Sequence, residues 1–268
     1  MQKQVKLLTV VYLLFVFILL LSGMLDGIWS GLVYVIAFLL PLGAGLYLGG
    51  ERRLSLHELS IDRVSARMTL PLVFPTVGAI FLLSYVTSLF IFHVFGVTSS
   101  VDIGTRLAPA IIRHALLPSV LEELLFRYLP MRLFARRAPR ATLLLSAAFF
   151  ALVHHSFFSM PYAFIAGLIF MALDLAAESV IPSLIIHFIN NVLSVLWIFY
   201  SDSSAFVSVF WTVLATTSLI SLLYVFYKRR EYKEYISPVL RTGDENLRSY
   251  APLYLAVPMI TLAITELL

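Results

Sequence analysis

Along the chain, apolar residues come in long runs, and polar residues are confined to short gaps between them. The runs fall near 5–23, 28–50, 69–96, 107–131, 141–158, 161–177, 180–200, 205–227 and 251–268. About 20 apolar residues are enough for one α-helix to cross hydrocarbon. Backbone polar groups in lipid must be satisfied within the segment, which selects helices. The pattern predicts an all-α, polytopic transmembrane helix bundle with eight or nine spans. It forms a single integral-membrane domain over 1–268, without internal repeats or low-complexity tracts.

Boundaries carry further signals. The first run follows Lys3 and Lys6, as in a signal peptide, but it is too long for such a core and lacks a small-residue cleavage site, so it reads as a span. Gly45 and Gly49 form a small-xxx-small pair suited to close helix packing. Residues 51–68 mix Leu54, Leu56, Leu59, Ile61 and Val64 with charges, which fits either a surface amphipathic helix or a charged loop. Residues 228–249 read as the main polar connection, and 251–268 either spans or lies in the interface.

Composition agrees with lipid as solvent: 60% of residues are hydrophobic, 13% are charged, and mean hydropathy is +0.95. With no cysteine, disulfides and thiolate metal sites are excluded. The pI of 9.3 does not indicate nucleic acid, because the basic residues sit in gaps between spans. With a cytoplasmic N-terminus, all 19 Lys and Arg except Arg106, Arg113 and Arg127 fall on the inner side. That positive-inside bias predicts a multi-pass protein with a cytoplasmic N-terminus; a prokaryotic cell membrane is its expected location.

Against this background a few polar residues stand out. Glu122, Glu123 and Arg127 lie inside the fourth run, where charges are costly and usually functional. Glu123 and Arg127 share a helix face and can pair. Glu122 points roughly 100° away, toward other helices. The fifth run carries His154 and His155, and the seventh carries His187, Asn190 and Asn191. His187 and Asn191 project from one face. Counted from the basic ends at about 1.5 Å per residue, Glu122, His154 and His187 lie roughly 10–20 Å deep and can line one cavity. A carboxylate and an imidazole sharing a water form a general-base pair, and an imidazole with an amide can stabilise an oxyanion. Taken singly, each has a plainer reading: a lone histidine or asparagine as a helix–helix hydrogen bond, and Glu123–Arg127 as a structural ion pair. Arg113 and His114, near the outer part of the fourth run, receive no role.

The motifs Glu-Glu-x-x-x-Arg (Glu122, Glu123, Arg127), Phe-x-x-x-His (Phe150, His154) and His-x-x-x-Asn (His187, Asn191) resemble those of the CAAX prenyl protease and bacteriocin-processing intramembrane protease family. The resemblance covers about 110–195, includes Ser146-Ala147, and departs at Tyr128, where many members have glycine. It implies an intramembrane endopeptidase with its catalytic core at about 107–200, acting on prenylated protein or peptide C-termini. It implies Glu122 and His154 as the water-activating pair, His187 and Asn191 as oxyanion donors, and Glu123 with Arg127 as support. The spacing from Phe150 favours His154 over His155. No cofactor is expected; a divalent metal is the minority alternative, since Glu and His are good ligands but His-Glu-x-x-His is absent. A proton-coupled transporter and a non-catalytic scaffold or immunity protein are the competing classes. The basic loops predict a site open to the cytoplasm.

Overall fold

The structure, a computed structural model, describes residues 2–51, 57–96, 103–134, 138–154 and 159–241. Nine helices follow in order among these residues: α1 (Gln2–Gly23), α2 (Gly27–Gly49), α3 (Ala66–Phe95), α4 (107–134), α5 (Pro139–Val153), α6 (Met160–Ala177), α7 (Ile181–Tyr200), α8 (Ser204–Tyr227) and α9 (Arg229–Arg241). Six of them (α1, α2, α3, α6, α7 and α8) are long and apolar enough to cross a membrane. The interrupted α4 and the shorter α5 bring the apolar helices to eight among the described residues. The expected ninth run, 251–268, lies outside the described residues. Leu82, Val86 and Phe90 on α3, with Leu219, Ile220 and Leu223 on α8, point outward. An apolar outer surface of that kind suits an integral, multi-pass membrane protein.

α1 and α2 form a hairpin that supports α4. Phe15 packs edge-on to Phe38 at 4.7 Å and to Phe126 at 5.5 Å between ring centroids. The glycine pair of α2 faces α4: a Cβ on Gly45 would lie 2.8 Å from the Leu129 side chain. α2 ends at Gly50, whose φ of 88° lets its N–H and that of Glu51 return to the last carbonyls. An equally close approach joins α5 to α6, where a Cβ on Gly167 would sit 2.8 Å from the Ala147 Cα. Because backbone is the obstacle, Gly167→Val should push the two helices apart. The expected cost is about 1–3 kcal/mol, visible as a lower melting temperature in detergent.

α4 is not a uniform helix. Two π-helical turns, Ile112–Leu116 and Leu124–Tyr128, interrupt it. Each precedes a proline, Pro118 and Pro130, that has no N–H to give the carbonyl four residues back. The Phe126 carbonyl freed in this way accepts the Ser146 hydroxyl of α5 at 2.5 Å. Pro71 in α3 frees the Arg67 carbonyl, which accepts from Tyr232 of α9 at 3.4 Å. Proline thus creates unused acceptors, and neighbouring helices are tied to them.

One end of the bundle gathers charge. Arg132 pairs with Glu51 and Glu58, Arg63 with Glu178, and Arg67 with Glu231. The described part of 51–68 is two short 3₁₀ turns, His57–Leu59 and Ile61–Arg63, rather than one amphipathic helix. These turns dock on the α6–α7 corner, where Val180 N–H donates to the Glu58 carbonyl at 2.9 Å and the Ser179 hydroxyl to the Ser60 carbonyl at 3.0 Å. The polar connection at 228–249 also contains more order than its composition predicts, because α9 buries Tyr232 and Val239.

Candidate active site

The site grows from the α-helical stretch Leu117–Glu123 between the two π-helical turns of α4. Glu123 is buried, and its Oε2 lies 3.4 Å from Nε of the fully buried Arg127. The Arg127 guanidinium sits 4.3 Å above Phe150 and 5.6 Å from Phe170, and it donates to Ser146 at 3.1 Å. Aromatic faces and one hydroxyl therefore share the solvation of a cation that water does not reach.

Glu123 also reaches α7. His187 Nδ1 is 2.7 Å from Glu123 Oε1. A carboxylate only accepts, so this nitrogen carries the proton and the ring orientation is fixed. The opposite nitrogen, Nε2, lies 3.8 Å from Glu122 Oε2. The adjacent carboxylates, roughly 100° apart around the helix, therefore bracket one imidazole from its two sides. Glu122 keeps a buried Oε2 with no hydrogen-bond partner.

His154 caps the C-terminus of α5 instead of lying within the span. Its Nδ1 lies 2.8 Å from the Phe150 carbonyl. Donation to that carbonyl leaves Nε2 as the acceptor of a neutral ring. The Phe-x-x-x-His spacing thus has a local cause, since the residue four back supplies the carbonyl that orients the ring. Asn191 Nδ2 donates to Ser119 Oγ at 3.4 Å, and Asn190 Nδ2 donates to Asn191 Oδ1 at 3.3 Å. His155 lies outside the described residues.

His154, His187 and Asn191 line one cavity of about 350 Å³, together with Ile80, Phe81 and Ser84 of α3 and His114 of α4. Glu122 adjoins it through His187. The convergence expected from the motifs is therefore present for three helices. The cavity is offset along the bundle. His187 lies roughly 9 Å from the charged end of its helix, whereas Ser84 and His114 lie roughly 27–30 Å from theirs. The cavity extends away from the paired charges. Ser84 of α3 and His114 of α4 stand on the wall at that far end.

Two residues given no role by sequence belong to this region. Asp174, the one charge inside the apolar run 161–177, is fully buried in the last turn of α6. Its Oδ1 accepts the Ser183 N–H at 3.0 Å, one of the free donors at the start of α7, one turn before His187. The other is His114, in the cavity wall. Among the described residues no three His, Asp or Glu side chains converge as a metal-holding group.

The architecture is that of an integral, multi-pass helical membrane protein with a buried Glu–His–Glu array beside a cavity. Within it, residues 104–193 match the family described as Type II CAAX prenyl endopeptidase Rce1-like. That segment contains all seven motif residues, so the resemblance read from them holds over this part of the chain. No curated protein and no solved structure matches the chain.

Proposed function

We propose that this protein is an intramembrane endopeptidase that removes the C-terminal tripeptide of prenylated CAAX-type substrates by activating water, without a covalent intermediate. The observation that carries the reading is the array Glu123–His187–Glu122 beside a cavity shared with His154 and Asn191. Glu122 offers the buried oxygen that lacks a protein partner. Glu122 and His154 together take the proton of the attacking water and return it to the leaving amine. His187 and Asn191 donate to the oxygen that gains charge as the carbonyl becomes tetrahedral. Donation from His187 Nε2 requires both ring nitrogens protonated, with Nδ1–H held by Glu123. Arg127 keeps Glu123 in place. A prenyl chain enters laterally from lipid and lies along the apolar wall of Ile80 and Phe81. A cytoplasmic N-terminus and basic end are part of this proposal, supported by the distribution of Lys and Arg.

The test is a purified-protein assay on a farnesylated CAAX peptide, with and without chelator, comparing wild type and His154→Ala. Wild type should cleave equally in both conditions, and His154→Ala should be slower by about 10²–10⁴-fold. Loss of wild-type activity in chelator, restored by a divalent metal, would favour the metal alternative. Equal cleavage of unprenylated peptides would count against the prenyl specificity.

A further inference from the structure

We propose that His114 binds the substrate's terminal carboxylate and so sets the length of the peptide released. The inference rests on the endopeptidase reading and adds a specificity-determining residue to it.

His114 lines the same cavity as His154, His187 and Asn191. The cavity wall also carries Ser84, Asn190 and Ser194, none of which the hydrolytic step uses. Among the described lining residues, only the three histidines can carry positive charge. Two of them serve the reacting carbonyl, so an anion bound elsewhere in the cavity meets the third.

The spacing matches the product. His114 and Glu122 are eight residues apart on α4, or about 12 Å at 1.5 Å per residue. Three extended residues span about 10–11 Å. A peptide with its scissile carbonyl beside Glu122 and His187 therefore places its terminal carboxylate near His114. The Ser84 hydroxyl stands in the same wall, while Ile80 and Phe81 offer apolar wall to the intervening side chains. His114 lies inside the π-helical turn Ile112–Leu116, ahead of Pro118. An extra residue in that turn changes the register of everything before Glu122, and such turns often occur at functional positions.

The experiment uses three farnesylated peptides: a CAAX free acid, its C-terminal amide, and the same sequence longer by one residue. Wild type should prefer the free acid over both others by about 10–100-fold in kcat/KM, the range expected for a hydrogen bond to a charged group. His114→Ala should bring the acid-to-amide ratio close to one, mainly by raising KM for the acid. His114→Lys should retain a preference for the acid. Folding of each variant is checked by its melting temperature. A wild type that cleaves acid and amide alike overturns the assignment, as does a His114→Ala protein that keeps the full ratio. If wild type cleaves none of the three, the endopeptidase reading itself fails, and this inference fails with it.

Discussion

Glu122→Gln is expected to slow cleavage of a farnesylated CAAX peptide by about 10²–10⁴-fold, the usual contribution of a positioned acid–base group. The amide keeps the size of the side chain and removes its basicity. Because the partner of Arg127 is Glu123 and not Glu122, the buried ion pair survives and the melting temperature should change little. Substrate binding should also persist, since the apolar wall formed by Ile80, Phe81 and Phe170 is untouched. The loss therefore belongs in kcat. A change confined to KM would move Glu122 from the chemical step to binding.

The second large effect concerns stability. Arg127→Met should destabilise the fold by about 3–5 kcal/mol, the range for removing one partner of a buried ion pair. Glu123 would keep its bond to His187 but lose its permanent cation in a region water does not enter. Four other contacts would disappear with the guanidinium: those to Phe150, Phe170, Ser146 and the Phe126 carbonyl. Most of the cost should come from the stranded charge. The double variant Glu123→Gln/Arg127→Met should consequently melt at a higher temperature than Arg127→Met alone, while staying inactive because His187 has lost the carboxylate that orients it. A double variant as unstable as the single one would assign the cost to packing instead. Thermal unfolding of the three purified proteins decides between these.

Most of the fold is legible in the sequence because lipid imposes one rule along each run: apolar residues of sufficient length, with charges at the ends. The exceptions have physical causes. α9 is a charged helix, so hydropathy gives it no signal, yet Tyr232 anchors it to a carbonyl that Pro71 leaves free. Asp174 is given no role by the motifs because a single acid near the end of an apolar run carries no spacing signal. It is buried because the first N–H groups of α7 need an acceptor.

The site is legible where spacing is regular. Glu123 and Arg127 are one helical turn apart and pair as expected. Spacing puts His154 in the correct wall but within a helix, where it instead caps α5. His114 escapes a sequence reading because ideal helical spacing sets it roughly 80° away from Glu122. The π-helical turn that alters this register is invisible to a periodicity count, although Pro118 just beyond it is a usable sign. The direction of the cavity is not encoded in the basic loops, which report the orientation of spans and not where a cavity between them widens.

One assay bears most directly on whether these buried groups hydrolyse a peptide bond: mass spectrometry of a farnesylated CAAX peptide incubated with the purified protein, beside Glu122→Gln as control. The account predicts an intact C-terminal tripeptide and a farnesyl-cysteine acid from wild type, and uncleaved peptide from the variant. Cleavage by Glu122→Gln at the wild-type rate would contradict it.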